Sequence, residues 1–274
     1  MVGIDLSGKT ALITGGTGGI GLAAGLELGA AGANTVLTYR WGSHSEEEIG
    51  RLFKEKGAPV PLLLEADVSH EEDTRAVMAQ IAEKYPGIDI FISNVGFAMK
   101  AETLNDYRKK SLYKSFDYSV WPLIDYVRCA KETFGRYPAT IVGVSSNGPD
   151  NYYRGYDYVA ASKALLEFFT RYMSVHLYRE GCRVNAIRFG TVKTPSFTAI
   201  FGEEYFKWLK ECKGVGEDSM LTPADCGKVI LAVCSGLMNA MNGQIINADL
   251  GLPFQDNAMM DYITQRSGAS ARES

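Results

Sequence analysis

The sequence has few of the residues that build metal sites or disulfide frameworks. Its 274 residues include three histidines and five cysteines, and no two of the cysteines are closely spaced: Cys129, Cys182, Cys212, Cys226 and Cys234. Metal sites and disulfide-rich domains both need clustered cysteine or histidine side chains. We therefore expect no bound metal, and we interpret the five cysteines as reduced thiols that pack inside a cytoplasmic protein.

A strong charge imbalance and an uninterrupted membrane span are missing as well. The formal net charge is −4, so no global basic field attracts nucleic acid. The longest uncharged stretch, residues 229–248, contains four polar amide side chains and is typical of a helix followed by a strand. The first ten residues show neither the basic nor the apolar segment of a secretory signal. We expect a cytoplasmic protein that binds neither nucleic acid nor membranes.

Hydrophobic residues make up 46% of the chain, which is enough for a large core. Short apolar runs alternate with longer segments of helical period along the whole sequence. Two of the predicted helical segments are residues 107–134 and 160–179. This alternation is typical of parallel strands joined by helices that cover both faces of the sheet. The predicted fold class is therefore α/β, with a single Rossmann-type, doubly wound parallel sheet.

No low-complexity linker divides the chain, so we predict one domain over residues 1–256 and a C-terminal tail over residues 257–274. One segment, residues 195–221, departs from the regular alternation because it is aromatic and charged together. It follows a predicted strand end, where sheets of this kind bind ligands. The segment is either a substrate lid or a packed surface helix.

A glycine-rich turn follows the first predicted strand, at residues 14–21, and leads into an alanine-rich helical segment. Glycines let the backbone turn sharply and approach a pyrophosphate, which then faces the N-terminus of the following helix. This position in an α/β chain indicates a dinucleotide site. The residues predicted to bind the cofactor here are Gly15, Thr17, Gly19, Ile20 and Gly21.

The ends of the next three predicted strands carry further candidate cofactor-binding residues. The second strand ends at Arg40, where an NAD enzyme commonly has an acidic residue for the ribose 2′-hydroxyl. Arg40 instead offers a cation for a 2′-phosphate, which favours NADP(H) over NAD(H). Asp67 and Val68 end the third strand, where a carboxylate can accept from the adenine amino group. Asn94 and Gly96 follow the fourth strand and are predicted to shape the adenosine pocket.

These residues, in this order and spacing, resemble the short-chain dehydrogenase/reductase family. The resemblance extends from Gly8 to about Phe254 and includes Ser145-Ser146, Lys163, the run from Val184 to Gly190, Thr194, Asn242-Gly243-Gln244, Asp249 and Gly251. It implies a nicotinamide cofactor, hydride transfer, and a homodimer or homotetramer built on long central helices. It also implies that Gly190, Val192 and Thr194 hold the nicotinamide end of the cofactor.

The tyrosine spacing differs from that of standard family members, which carry a tyrosine four residues before the lysine. Here that position is Val159, which cannot exchange a proton, and the nearest phenols are Tyr158 and Tyr156. Each helical residue rotates by about 100°, so seven residues return a side chain to within about 20° of Lys163. Five residues leave it about 140° away. If the helix extends that far, Tyr156 shares the face of the lysine and Tyr158 does not.

Tyr156 lies three residues upstream of the standard tyrosine position, which moves the phenol by about 4–5 Å along the helix axis. This displacement changes which substrate atom the phenol can reach. In an enoyl thioester, hydride adds to the β-carbon while charge develops on a carbonyl oxygen two carbons away. A more distant acid suits that geometry. Tyr-x6-Lys is also the spacing of the enoyl-acyl carrier protein reductases, a divergent branch of the family that Tyr156 and Lys163 resemble.

The resemblance assigns roles to three catalytic candidates. Tyr156 donates to the developing enolate oxygen, and Ser146 orients the substrate or stabilises the oxyanion. Lys163 binds the nicotinamide ribose and lowers the pKa of the phenol from near 10 toward the working pH. Standard members also carry an asparagine for proton relay in the fourth long helix, and the matching residue is Ser119.

We therefore expect an NADPH-dependent reductase of a conjugated C=C bond, acting on an acyl thioester. One alternative is a carbonyl reductase or alcohol dehydrogenase on a small metabolite, in which Tyr158 or Tyr153 supplies the phenol. The Ser145-Ser146 pair fits this alternative, because ketoreductases carry it, as do the NADPH-using enoyl reductases. Another alternative is a scaffold that binds a dinucleotide without catalysis.

Overall fold

Seven short apolar runs form the strands of one parallel sheet in the computed structural model. The model describes residues 3–42, 44–194, 197–198, 201–213 and 220–255. In chain order the strands are β1 (Thr10–Ile13), β2 (Asn34–Tyr39), β3 (Leu62–Glu65), β4 (Ile90–Ser93), β5 (Thr140–Ser146), β6 (Arg183–Phe189) and β7 (Ile245–Ala248). Across the sheet they lie in the order β3-β2-β1-β4-β5-β6-β7, and every neighbouring pair is parallel.

Helices connect the strands and cover both faces of the sheet. They are α1 (Gly19–Ala30), α2 (Glu46–Glu55), α3 (Glu71–Ala82), α4 (Lys109–Ser119), α5 (Trp121–Phe134), α6 (Asp157–His176), α7 (Glu204–Lys213), α8 (Pro223–Cys234) and the short α9 (Leu252–Gln255). Single 3-10 turns lie at Leu104–Asp106 and Tyr178–Glu180. The arrangement confirms the predicted doubly wound α/β fold.

The core has two layers because successive strand residues point to opposite faces of the sheet. Ala11 and Ile13 of β1 pack in the layer that contains Leu28 of α1 and Ile230 of α8. Leu12, between them, packs in the opposite layer with residues of α3, α5 and α6. Strands buried on both faces explain why the apolar runs in the sequence are continuous and not alternating.

Two helix boundaries differ from the expectations drawn from the sequence. The predicted helical region 107–134 is two helices, because Pro122 stands in the first turn of α5 and has no N–H to continue α4. The helix predicted to begin at Ala160 begins at Asp157, and Tyr156 is its N-cap residue. The earlier start brings the candidate phenol to the very end of α6.

The sheet order determines where a ligand can enter. The chain moves outward from β1 through β2 to β3 and then returns to place β4 on the other side of β1. The connections that leave β1 and β4 therefore diverge, and a crevice opens at the carboxyl ends of these two strands. The glycine-rich turn after β1 lies at this crevice.

The uncharged stretch at 229–248 is divided between the end of α8 and strand β7. Within the described ranges, no helix is both long and apolar enough to cross a membrane. Among the cysteines whose side chains the structure describes, Cys129, Cys182, Cys226 and Cys234 are free and buried. The side chain of Cys212 lies outside the described part of the structure. The predicted tail at 257–274 lies outside the described residues, as do positions 195–196, 199–200 and 214–219 of the segment at 195–221.

Candidate active site

The glycine-rich turn forms an anion-binding corner between β1 and α1. Gly15 has a φ of +64°, a backbone conformation that residues other than glycine rarely adopt. A Cβ on Gly21 would lie 2.3 Å from the Gly15 carbonyl oxygen, so α1 packs directly against the turn. The first turn of α1 has no acidic residue and no side-chain cap, which leaves its N–H groups free for a negatively charged ligand.

Asn94 holds this turn in place from the neighbouring strand. Its side-chain amide donates to the carbonyl oxygens of Thr14 at 3.0 Å and Gly15 at 3.2 Å. The Asn94 backbone N–H donates to the Thr14 hydroxyl, also at 3.0 Å. Asn94 therefore acts on the cofactor site by fixing the glycine turn as well as by lining the pocket.

A cleft of about 360 Å³ extends from this turn along the carboxyl edge of the sheet. It brings together nearly all the residues predicted to bind cofactor or substrate: Gly15, Thr17, Gly19, Ile20, Arg40, Asp67, Val68, Asn94, Gly96, Ser146, Tyr156, Lys163, Gly190, Val192 and Thr194. Gly21 is the exception, because it packs beneath the turn and does not line the cleft. The free helix terminus and the close-packed glycines fit a dinucleotide.

The end of the cleft near β2 and β3 carries a charged cluster. The Arg40 guanidinium forms an ion pair with the Asp67 carboxylate, and the Tyr118 hydroxyl donates to the same carboxylate at 2.9 Å. Burial alone would raise the pKa of Asp67, but hydrogen bonds from Ser69 and Tyr118, together with Arg40, lower it. Arg40 also stacks on the Trp41 ring at 4.5 Å. This end of the cleft therefore presents a positioned cation and an ionised carboxylate.

Lys163 also lines the cleft and is 6% exposed. Its Nζ donates to the Val144 carbonyl oxygen at 2.8 Å. Burial lowers the pKa of Lys163 to about 8, and the Glu167 carboxylate offsets part of that effect. Gly96 approaches closely, since a Cβ on it would lie 3.5 Å from Nζ. The amine is thus fixed between β5 and the loop after β4.

Tyr156 and Tyr158 point in different directions although they are only two residues apart. The Tyr156 hydroxyl lies in the cleft and donates to Ser146 Oγ at 3.2 Å. Tyr158 is buried, and its hydroxyl accepts from the Arg108 N–H at 2.5 Å and donates to the Arg108 carbonyl at 3.4 Å. The structure therefore brings Tyr156, Ser146 and Lys163 into one cleft and directs Tyr158 to the start of α4.

The pKa of the Tyr156 phenol differs from the expectation. Burial raises its pKa, and the hydrogen bond with Ser146 offsets only part of the increase. The expectation that Lys163 lowers the pKa of this phenol is therefore wrong for this structure, because Lys163 is bound to Val144 and burial dominates. A half-buried phenol of raised pKa stays protonated at neutral pH and is suited to donating a proton.

Aromatic side chains surround the Tyr156 end of the cleft. The Phe201 ring lies 5.7 Å from the Tyr156 ring and 4.7 Å from the Phe197 ring, measured between centroids. Tyr153 contacts Tyr156 edge-on at 5.9 Å. Phe189, at the end of β6, also lines the cleft. The described part of the 195–221 segment therefore contributes its phenylalanines to the wall of the site.

Ser119, expected at the position of the relay asparagine, lies away from the cleft lining. It is the last residue of α4 and is buried, and its Oγ accepts from the Phe97 N–H at 3.0 Å. Phe97 itself lines the cleft and stacks on Tyr118 at 4.9 Å. Ser119 thus supports the loop after β4 from behind.

Several residues of the site were not predicted from the sequence, including Trp41, Phe97 and Tyr118. Trp41 directly follows Arg40, and Phe97 directly follows Gly96. These positions next to predicted cofactor-binding residues could have indicated that both aromatic side chains line the cleft. Tyr118 lies on α4, 51 residues from its partner Asp67, and no local pattern joins the two.

Comparisons with known proteins agree with this geometry. A family model described as enoyl-(acyl carrier protein) reductase matches residues 15–253. The chain is 30% identical over 258 residues to the glucose and ribitol dehydrogenase of Daucus carota, covering 90% of this chain and 85% of that protein. It is 28% identical to the enoyl-[acyl-carrier-protein] reductase [NADH] of Aquifex aeolicus, covering 90% and 92%. A solved dehydrogenase/reductase of Sinorhizobium meliloti superimposes with a TM-score of 0.79 at 23% identity, covering 91% and 96%.

Proposed function

Because the chain belongs to the short-chain dehydrogenase/reductase family and is an NAD(P)H-dependent oxidoreductase, we propose that it reduces the conjugated C=C bond of an enoyl thioester. The observation that carries this proposal is the position of Tyr156, seven residues before Lys163, in the cleft and bonded to Ser146. Tyr158, the phenol closer to the lysine in sequence, is bound to the backbone of Arg108 instead.

The chemistry of the cleft supports an apolar acyl substrate. The Phe201 ring packs on the Tyr156 ring, Phe189 and Phe197 also line the cleft, and Ser146 supplies a second hydroxyl. Among the described residues that line the cleft, Lys163 is the charged group at this end, while Arg40 and Asp67 lie at the other. Such a wall can bury a hydrocarbon chain but offers few hydrogen-bond partners to a polyhydroxylated sugar.

Tyr156, Ser146 and Lys163 have separate roles in the proposed reaction. Reduced nicotinamide, when bound, supplies a hydride. Tyr156 then donates to the carbonyl oxygen on which charge develops, and its raised pKa keeps the proton available. Ser146 holds the phenol hydroxyl in the cleft. Lys163 would hold the nicotinamide ribose and, in its charged form, stabilise negative charge on the substrate.

We propose NADPH as the preferred cofactor. Arg40 would hold the 2′-phosphate, because its guanidinium stands at the end of β2 and offers paired donors that match phosphate geometry. The glycine turn and the free N–H groups of α1 would hold the pyrophosphate. Thr194, Val192 and Gly190, which all line the cleft, would hold the carboxamide end.

The test is a pair of variants, Tyr156→Phe and Tyr158→Phe, assayed with NADPH and crotonyl-CoA. We expect Tyr156→Phe to lower kcat by about 100-fold or more, as removal of a general acid does. Tyr158→Phe removes a hydroxyl of the same kind outside the cleft, so kcat should stay within about twofold while Tm falls. Full activity of Tyr156→Phe, or no oxidation of NADPH with any enoyl thioester, would contradict the proposal.

A second candidate function is reduction of a ketone or aldehyde, or the reverse oxidation of an alcohol. The 30% identity to a glucose and ribitol dehydrogenase favours it. Parallel assays with acetoacetyl-CoA and with ribitol plus NADP⁺ separate the two reactions. Activity that exceeds the crotonyl-CoA rate and depends on Tyr153 would favour this candidate. The non-catalytic scaffold is not retained, because the chain is an oxidoreductase.

We also propose that the protein forms a homodimer or homotetramer and resides in the cytoplasm. Leu165, Phe168, Tyr172 and Val175 form an exposed apolar stripe along α6, which is a suitable surface for a second copy. The buried free thiols fit a reducing compartment. Light scattering of the purified protein and of Phe168→Glu tests the assembly, since a charge in the stripe should shift the mass to that of a monomer.

A further inference from the structure

A buried ion pair lies behind the catalytic candidates. Arg188, on β6, donates from Nε and one terminal nitrogen to the two oxygens of Glu167, both at 2.6 Å. The side chains are 12% and 4% exposed. Glu167 is on α6 one helical turn after Lys163. Bidentate geometry and burial make this pair rigid, so it joins β6 to the helix that carries the site.

The same carboxylate reaches strand β5. The Ser145 hydroxyl donates to Glu167 at 2.7 Å, and Ser145 lies directly opposite Arg188 in the strand register. Ser145 immediately precedes Ser146, whose hydroxyl binds Tyr156. The ends of β5 and β6 and the third turn of α6 are therefore fixed to one another by a single carboxylate.

The third nitrogen of the Arg188 guanidinium reaches the loop that leads to Tyr156. Its remaining terminal nitrogen forms an ion pair with Asp150, in the loop between β5 and α6. Inside the loop, the Asn147 carbonyl oxygen accepts from the Asp150 N–H at 3.2 Å and from the Asn151 amide at 2.9 Å. Arg188 thus connects the buried ion pair to the tight turn at residues 147–151.

This turn supports the Tyr156 ring directly. A Cβ on Gly148 would lie 2.7 Å from Cε1 of Tyr156 and 3.0 Å from Cδ1, so the ring packs on the bare glycine backbone. The Gly148 N–H donates to Ser146 Oγ at 3.3 Å, the same atom that accepts from the Tyr156 hydroxyl. The turn therefore contacts both the ring and the partner of its hydroxyl.

We propose that Asp150, Arg188 and Gly148 are positioning residues that set the place of the Tyr156 hydroxyl in the cleft. The inference rests on the proposed function, in which Tyr156 donates to the substrate. Asp150 is the informative member, because its side chain is 64% exposed and its ion pair contributes little to the stability of the fold. We expect the buried Arg188–Glu167 pair to survive its removal, because neither bond of that pair involves Asp150.

The experiment compares Asp150→Ala with Arg154→Ala, a matched control in the same loop. Arg154 forms an exposed ion pair with Glu102 and does not line the cleft. We expect Asp150→Ala to lower kcat with crotonyl-CoA by about tenfold, because small displacements of a catalytic group are costly. The KM for NADPH and the Tm should stay near the parent values. Arg154→Ala should keep kcat within about twofold.

A double-mutant cycle separates positioning of Tyr156 from other effects. In a Tyr156→Phe background, Asp150→Ala should lower the residual rate by less than about twofold, because the hydroxyl it positions is gone. An equal loss in both backgrounds would overturn the inference. If Tyr156→Phe alone is fully active, the proposed function fails instead. If Tyr156→Phe is inactive but Asp150→Ala matches Arg154→Ala, only the positioning role fails.

Gly148→Ala tests the other contact of the turn. The added Cβ must displace the Tyr156 ring, so kcat should fall by about 100-fold while NADPH binding, measured by fluorescence, is retained. Gly50→Ala is the control, because nothing lies within 4 Å of a Cβ at that position. Unchanged kcat in Gly148→Ala would overturn the role of the turn.

Discussion

The two ends of the cleft are built in different ways. The end near β2 and β3, where we propose that the adenosine binds and which we call the adenosine end, combines a guanidinium, a carboxylate and a phenol. Its two charged residues follow the ends of β2 and β3, and the phenol comes from α4. The substrate end combines aromatic rings with two hydroxyls and one buried amine, and most of its geometry depends on the loop before α6 and the segment after β6.

The difference matches the roles that we propose for the two ends. A charged, fixed frame recognises a phosphate and an adenine through direct contacts that are strong even beside water. An apolar pocket excludes water, so that one hydroxyl and one ammonium act in a medium of low dielectric constant. Substitutions at the first end should therefore change cofactor affinity, and those at the second end should change kcat.

The largest expected effect is that of Lys163→Met, at the substrate end. Loss of the amine should lower kcat with crotonyl-CoA by about 1000-fold, within the range for groups that assist proton transfer. The same variant should be more stable at pH 7, because the parent protein must bury a charged amine there. The pKa of Lys163 is about 8 when folded and 10.5 in its ordinary state, so the parent gains stability as pH rises between these values.

Thermal unfolding of parent and variant at pH 7 and pH 10 checks the sign of this linkage. The Tm of Lys163→Met should exceed that of the parent at pH 7, and the gap should narrow at pH 10. A variant that is less stable than the parent at pH 7 would contradict this expectation. It would show that the hydrogen bond from Lys163 to Val144 stabilises the fold by more than burial of the charged amine destabilises it.

The next effect is at the glycine turn, in Gly21→Ala. The new Cβ would lie 2.3 Å from the Gly15 carbonyl oxygen and 2.7 Å from the Asn94 amide, so the glycine turn must move. We expect the Kd of NADPH to rise by about 100-fold. A change of this size corresponds to the upper end of the free-energy cost of forcing an extra methyl group into a tight contact. A titration that follows NADPH fluorescence measures the Kd. Binding that is unchanged would mean that the turn adapts freely.

Arg40→Ala should have a smaller and more selective effect. Removal of the cation should raise the Kd of NADPH by about 30-fold, in the range of hydrogen bonds to charged groups. The Kd of NADH should change by less than about threefold. Equal losses for both cofactors would show that Arg40 supports the pocket through Asp67 and does not recognise the 2′-phosphate.

The smallest effect is the pH dependence of the parent enzyme. As pH rises through about 8, Lys163 loses its charge, and kcat/KM for reduction should fall by up to about tenfold per pH unit. The raised pKa of Tyr156 keeps the phenol protonated over the same range. A profile that is flat from pH 7 to pH 9 would indicate that the amine acts without its charge.

The position of a site residue could be predicted from the sequence where a single strand or helix determines it. The glycine turn, Arg40, Asp67 and Gly96 were predicted because each follows an apolar run, and the ends of parallel strands meet at one edge of the sheet. The choice of Tyr156 over Tyr158 followed from helical rotation and from the Tyr-x6-Lys spacing, and the structure places Tyr156 in the cleft. The family was also predicted correctly.

Long-range contacts could not be predicted in this way. Arg188 meets Glu167 across 21 residues and Asp150 across 38, and each contact depends on strand register and loop path. The direction of the pKa change at Tyr156 was missed for a related reason. It depends on burial beneath aromatic rings, such as that of Phe201, that come from a distant part of the chain.

Val159 holds the position at which standard family members carry their tyrosine, and here its isopropyl group is buried and lines the cleft. The helix already directs this position at the site, one turn before Lys163. If the chain is the enoyl reductase that we propose, its conversion to a carbonyl reductase would therefore start from a backbone that already directs position 159 at the cleft. A two-step route, in which a phenol is gained at 159 and lost at 156, connects the two chemistries on one scaffold, for a protein engineer as for natural selection.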